Sequence, residues 1–288
     1  MSGSILLVGA TGNVGMPLAT MLAKEGYRVK ATVRASTNVE LLQELGIETI
    51  QADLHDFFGM MNAMDGVRKV FFTVPLVPNV VRLSKNIVQA ASEAGVEHLV
   101  KVSGGGANLE RTKLQRWHRE IEREMEQAGP KYTFLRPNSF MQNFVNFNAG
   151  TIRDHASFYL PIGDGKISFI DARDIALTAY HILTEEGHEG MAYELSGPEA
   201  LSGKDVASIL TRTIRKEIKY IDVPEQEARR AMLEANMPDS IADAMMEMYH
   251  NNKLGYTAHV NNTVYNITGE QPHTFQSFVE DSKSSFLS

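Results

Sequence analysis

Residues 8–15 read VGATGNVG, with Gly9, Gly12 and Gly15 three residues apart, directly behind the apolar run Ile5–Val8. The chemistry suited to such a loop is phosphate binding. Gly9 permits a tight turn, Gly12 lets the backbone approach a pyrophosphate, and Gly15 lets the following helix pack closely on the strand. Thr11, Asn13 and Val14 fill out the loop. The N–H groups that a helix start leaves unpaired, and its positive dipole end, favour the anion. A turn that binds nothing is the plain alternative, and the strand–loop–helix context argues against it.

The next chemistry-bearing position is the end of the second strand. A site for NAD places a carboxylate there, about 20 residues past the loop, to hold the ribose hydroxyls. Here residues 32–36 read TVRAS, and no carboxylate appears before Glu40. Arg34 can pair with a 2′-phosphate, with Ser36 and Thr37 as hydrogen-bond donors. Alternatively, Arg34 is a surface arginine at a strand end. Asp53, ending the third strand, suits an adenine amino group or, equally, a loop-start cap. The cofactor this implies is NADP(H).

Strands are expected at Ile5–Val8, Tyr27–Arg34, Ile47–Leu54, Val70–Val74, His98–Ser103 and Tyr132–Arg136. Helices follow most of them. Val14, Leu18, Met21 and Leu22 share one helical face, Asn79–Ala94 ends at Gly95, and Lys113–Ala128 stops at Gly129-Pro130. Thr37-x-x-Glu40 reads as a capping box. Alternating strands and helices predict an α/β fold of Rossmann type, a doubly wound parallel sheet with ligands at the carboxyl ends of its strands. Residues 1–150 form this nucleotide-binding domain, part of 151–190 returns to it, and 191–288 make up mainly a smaller C-terminal substrate-binding or lid lobe. In that lobe Ala228–His250 reads as helical and methionine-rich, broken at Pro238.

The 288 residues are 43% hydrophobic and 22% charged, ordinary for a globular protein, and the net charge of −7 argues against a nucleic-acid partner. No run of about 18 apolar residues would span a membrane, and no signal peptide is expected. The absence of cysteine excludes thiol catalysis and fits a cytoplasmic protein. The expected partner is a small-molecule substrate, and a homodimer is left open.

The segments VGATGNVG, VSGGGAN (102–108), YTFLRPNSFMQN (132–143) and FIDARDIA (169–176) occur in the order seen in NmrA-like proteins, atypical members of the short-chain dehydrogenase/reductase superfamily. YELSGPEALSGKDVASIL and ITGEQPHTFQSFVED resemble the same group, and the likeness extends over nearly the whole chain. It is nearest to the NADPH-dependent azo-dye, quinone and triphenylmethane reductases. Ordinary short-chain dehydrogenases use a Tyr-x-x-x-Lys pair after the fifth strand, with the tyrosine as general acid. The helix here, LQRWHREIEREME, has no tyrosine, and the string Tyr249–Lys253 lies too far along the chain to serve.

The resemblance puts a histidine of those reductases at His118, fourteen residues before Tyr132, as the catalytic candidate. Glu122, four residues on, is placed to orient or protonate it, unless the two are a surface pair. No third ligand suggests a metal. Thr73, Pro75 and Ser103 are expected near the nicotinamide. Leu76, Gly104, Trp117, Asn138, Phe140 and Phe144 are expected to line a substrate pocket, with Met141 and Phe147 nearby, although core packing is the default for each. The function this implies is hydride transfer from NADPH to a quinone, azo or similar conjugated acceptor. The alternative is a non-catalytic, NADP-sensing regulator.

Overall fold

The first strand, SILLV, is buried along its whole length. Its alternation sends Ile5 and Leu7 to one face of a sheet and Leu6 and Val8 to the other. Both faces are covered, as a parallel sheet requires. The computed structural model describes residues 3–34 and 39–287. It begins with β1 (Ser4–Val8), α1 (Gly15–Lys24), β2 (Val29–Val33), α2 (Glu40–Glu44), β3 (Glu48–Gln51), α3 (Phe57–Ala63), β4 (Val67–Phe72) and α4 (Val80–Glu93). The chain continues through β5 (His98–Val102), a 3-10 turn at Ala107–Leu109, α5 (Lys113–Gln127) and β6 (Lys131–Pro137). Ser36, Thr37 and the capping box expected there lie outside the described residues.

Next come a π-type turn at Phe144–Asn148, α6 (Ala149–His155), β7 (Ser157–Leu160), β8 (Lys166–Ile167) and α7 (Ala172–Thr184). Then follow β9 (Met191–Leu195), β10 (Leu201–Ser202), α8 (Gly203–Ile214), β11 (Lys219–Asp222), α9 (Glu225–Glu234), α10 (Asp239–Lys253), α11 (Thr263–Thr268), α12 (Phe275–Asp281) and α13 (Lys283–Leu287). Pro238 separates α9 from α10, since a proline cannot continue the first helix but can open the second.

Seven parallel strands form the central sheet in the order β3-β2-β1-β4-β5-β6-β9. This is the doubly wound arrangement, and the chain reverses direction across the sheet between β1 and β4. On one face Ile5, Leu7, Phe71 and Val100 pack under Leu18, Leu22, Ile175 and Ala179 of α1 and α7. On the other, Leu6, Val8, Phe72 and Leu99 pack under Met60, Ile87, Ile121 and Met125 of α3, α4 and α5.

α7 therefore belongs to the sheet core. So does Met191–Leu195, which a lobe starting at 191 would have claimed: β9 pairs in parallel with β6 as the seventh strand. Val264 of α11 also joins that core. The lobe has its own apolar centre, built from Phe144, Phe158, Phe169, Leu210, Phe275 and Phe286. Two small sheets frame it, β7 with β11 in parallel and β8 with β10 antiparallel. Ser202 and Asp205 form a reciprocal capping box that starts α8.

Candidate active site

The loops that follow β1 to β6 all emerge at the carboxyl edge of the sheet. Gly9 takes a φ of +89°, and a Cβ there would lie 2.8 Å from both Cγ2 and the carbonyl oxygen of Thr73. The loop after β1 is thus pressed onto the loop after β4, at the point where the sheet order reverses. A Cβ on Gly15 would lie 2.1 Å from the Gly9 carbonyl oxygen, so close helix–strand packing demands glycine there. Gly12 differs: its Cβ would meet only the Gly9 carbonyl oxygen, at an ordinary 3.4 Å. Packing within the protein does not require glycine at 12, and Thr11, Gly12 and Asn13 are exposed. Val14 precedes α1, and no side chain caps the helix start. An uncapped helix N-terminus beneath an exposed loop with glycine at its centre fits a dinucleotide pyrophosphate.

Arg34 is exposed at the end of β2. Asp53 accepts hydrogen bonds from the backbone N–H of His55 at 2.9 Å and pairs with its Nδ1 at 2.8 Å, so it does cap its loop. Its side chain remains largely exposed.

α5 carries His118 and Glu122. Thr112 and Gln115 close a capping box at its start, which fixes the helix over the ends of β5 and β6. His118 lies on the inward side. Its ring stands against the backbone of Gly104, where a Cβ would come within 2.6 Å of Cδ2 and 3.2 Å of Nε2. Gly104 therefore makes room for the imidazole. His118, Trp117 and Leu76 line one narrow, mainly apolar cleft together with Val74, Val80, Leu114 and Ile121.

The hydrogen-bond partner of His118 is Lys101, whose Nζ lies 2.9 Å from Nδ1. Glu122, expected to serve His118, does not. It accepts from Ser103 Oγ at 2.7 Å, from Arg136 Nε at 2.9 Å and from Arg136 Nη2 at 2.7 Å. It also pairs with Arg119 at 3.3 Å. The side chain of Glu122 is fully buried. Burial alone would raise its pKa, but Arg136 and Ser103 outweigh it and hold the carboxyl below its ordinary range. The arginine competes successfully because a bidentate guanidinium is a better carboxylate partner than an imidazole.

His118 is pushed well below the ordinary histidine value, first by burial and then by the neighbouring ammonium of Lys101. Its imidazole is neutral near pH 7. With Lys101 donating to Nδ1, the ring hydrogen sits on Nε2, the nitrogen beside Gly104. Burial also brings Lys101 down to about 7, with Glu122 opposing and Arg136 reinforcing the shift. Lys101 escaped the sequence reading although a signal was present. A strand buried on both faces should be apolar throughout, and HLVKV places a lysine in one.

Other expected pocket residues lie elsewhere. Phe144 is in the lobe core, edge-on to Phe158, Phe169 and Phe275. Phe140 packs against the sheet core and bridges to Ile170 through its backbone. Asn138 donates from Nδ2 to Ser168 Oγ and to the Thr257 carbonyl oxygen, both at 2.7 Å, so it ties the end of β6 to the lobe. Ser103 is buried, and its hydroxyl donates to Glu122 at 2.7 Å. Thr73 lies against Gly9, while Pro75 and Leu76 are exposed on the same loop. Tyr249, first residue of the displaced Tyr-x-x-x-Lys string, packs against the lobe core, and burial pushes its hydroxyl up to about 12.

The pattern of the NmrA-like family matches residues 1–278. The chain belongs to the NmrA-like family. It is 38% identical to the NAD(P)H azoreductase of Xenophilus azovorans, over 98% of this chain and 99% of that protein. In three dimensions it is similar to the NADPH-dependent quinone oxidoreductase of Escherichia coli complexed with NADPH, with a TM-score of 0.85, 28% identity and coverage of 97% and 99% of the two chains. The triphenylmethane reductase of Citrobacter sp., complexed with NADP(H), superimposes with a TM-score of 0.83 and 25% identity, covering 96% of this chain and 99% of the other. Among the described residues, no helix is long and apolar enough to cross a membrane.

Proposed function

We propose that this NmrA-like chain is an NADPH-dependent reductase of quinones, azo compounds and similar conjugated electrophiles. The observation that carries the reading is the position of the His118 imidazole, beside Gly104 in the wall of an apolar cleft with Trp117 and Leu76. Thr11, Gly12, Asn13 and the start of α1 would hold the pyrophosphate, and Arg34 a 2′-phosphate. When bound, NADPH supplies the hydride. Trp117 and Leu76 exclude water from one side and accept a flat apolar ring. The Nε2–H of His118 donates to the oxygen or nitrogen on which the reduced acceptor gathers negative charge. Such acceptors delocalise that charge themselves, so a weak neutral donor suffices where a simple ketone would need a tyrosine-type acid. A nucleotide-sensing regulator would have no use for a donor held in an apolar cleft.

The test follows NADPH consumption against a panel of quinones and azo dyes, in the wild type and in His118→Ala. Positioned proton transfer is worth about 10²- to 10⁴-fold, and for a quinone the low end applies. His118→Ala should cut kcat by roughly ten- to a hundredfold, with NADPH affinity nearly unchanged. An unchanged kcat would make His118 a structural residue, and a wild type that binds NADPH yet reduces nothing would favour the regulator.

A further inference from the structure

We infer that Lys101 is the proton reservoir of His118: an ammonium–imidazole pair runs from the buried Lys101 of β5 to the half-buried ring at the apolar cleft, and Lys101 acts on the reaction only through that ring. The inference rests on the reductase reading. Lys101 is 2% exposed and has two hydrogen-bond acceptors, His118 Nδ1 at 2.9 Å and the carbonyl oxygen of Val102 at 3.2 Å. Among the described residues it enters no ion pair within 4 Å. The carboxylate in reach electrostatically, Glu122 of α5, gives its oxygens to Arg136, Ser103 and Arg119. From β6, Arg136 adds a second positive charge, and across β4 the paired residue is Phe72, with no charge to offer. A lysine held this way is poorly paired. What it does have is a proton directed at the back of the imidazole.

The proton balance closes. As the acceptor gains its hydride, His118 gives the Nε2 proton to the anion that forms. Nδ1 takes a proton from the Lys101 ammonium, which becomes an amine, and the ring passes to its other tautomer without ever becoming an anion. A solvent proton then returns to Nε2 through the cleft once the product has left, and Nδ1 hands its proton back to Lys101. Lys101 is thus a positioning residue, since it touches neither substrate nor cofactor.

Lys101→Gln separates proton supply from ring orientation. Its amide keeps a donor on the Nδ1 side of the ring, one bond short of the lysine nitrogen, but cannot release a proton. With a quinone acceptor, wild-type kcat should fall as pH rises through about 7, where Lys101 loses its proton. In Lys101→Gln, kcat should be flat across that range and lower by roughly tenfold below it, with NADPH affinity unchanged in a direct titration. Independently of turnover, nitrogen NMR of the ligand-free wild type should show the Lys101 amine titrating together with the His118 ring nitrogens, on Nδ1 more than Nε2. This second reading survives even if the glutamine variant fails to fold. A folded Lys101→Gln with the wild-type pH profile, or a Lys101 titration that leaves His118 unmoved, overturns the relay and leaves the reductase reading standing. A wild type inert toward every acceptor overturns both.

Discussion

A methyl group at Gly104 would sit 2.6 Å from His118 Cδ2 and 3.2 Å from Nε2, closer than unstrained contacts allow. The imidazole has limited freedom to retreat, because Lys101 holds its other side. Gly104→Ala should therefore tilt the ring or break the Lys101 contact while leaving the sheet intact. The expected outcome is a loss of kcat approaching that of His118→Ala with NADPH binding preserved. A variant with normal kcat would show that the ring reorients without consequence. Arg34, at the end of β2, decides a different quantity. A charge-assisted contact to a 2′-phosphate should favour NADPH over NADH by at least about tenfold, or about 1.4 kcal/mol. Calorimetric titration of both cofactors against wild type and Arg34→Ala checks this, and the variant should lose most of the preference. Equal wild-type affinities would remove Arg34 from the cofactor site.

Glu122 sets the position of α5 as a whole. Its buried carboxylate joins the helix to Ser103 after β5 and to Arg136 at the end of β6. Removing one partner of a buried ion pair leaves the other uncompensated, at a cost of roughly 3–5 kcal/mol. Arg136 keeps Glu194 at 3.4 Å and Asn108 at 3.2 Å, so Glu122→Leu should destabilise by about 3 kcal/mol, the lower end of that range, in equilibrium denaturation. A loss below about 1 kcal/mol would mean that the capping box and the packing of Ile121 and Met125 hold α5 without the carboxylate. The same residue shows where the sequence stops being legible. Spacing along one helix displays His118 and Glu122 as neighbours, but not that Arg136 arrives from another strand to take the carboxylate. The regular elements were legible because their apolar alternation and glycine stops are local: β1, β4, α4, β5, α5 and β6 follow from residue order with shifts of a few positions. β9 was not, since MAYEL is a partly exposed edge strand reached only after an excursion through the lobe. The strands β7, β8, β10 and β11 are two to four residues long, too short to show a period. The glycine loop was legible in the sequence, and the lysine behind the histidine was visible only as an anomaly in a buried strand.

At the scale of the whole molecule, the sheet domain and the lobe are joined by contacts distant in sequence, and one of them titrates. Asp174 of α7 is buried in the sheet-side core, and His273 just precedes α12 in the lobe. The two meet twice: His273 donates its backbone N–H to Asp174 Oδ2 at 2.9 Å, and its Nδ1 lies 2.6 Å from Asp174 Oδ1. The bond to Asp174 raises the histidine above its ordinary value, against the opposing effect of burial. A group whose pKa is raised on folding stabilises the fold fully below its unfolded value, about 6.5, and loses that contribution as pH climbs through the folded value. Lys101 acts in the opposite sense, because its pKa falls from 10.5 to about 7 on folding, so its contribution rises with pH above 7. The net wild-type curve mixes the two, and the informative quantity is the difference between wild type and His273→Asn. Asparagine keeps the backbone contact and can offer a side-chain amide, but it does not titrate. Urea midpoints measured from pH 5.5 to 8.5 should show the wild-type advantage over His273→Asn greatest at the acid end and shrinking as pH rises beyond 6.5. The shrinkage should be steepest between about 6.5 and the pH at which NMR finds the His273 ring losing its proton, and should level off above it. A wild-type advantage constant across that range would mean that the lobe is anchored by the backbone N–H and by α12 packing, with the imidazole charge contributing nothing to the joint.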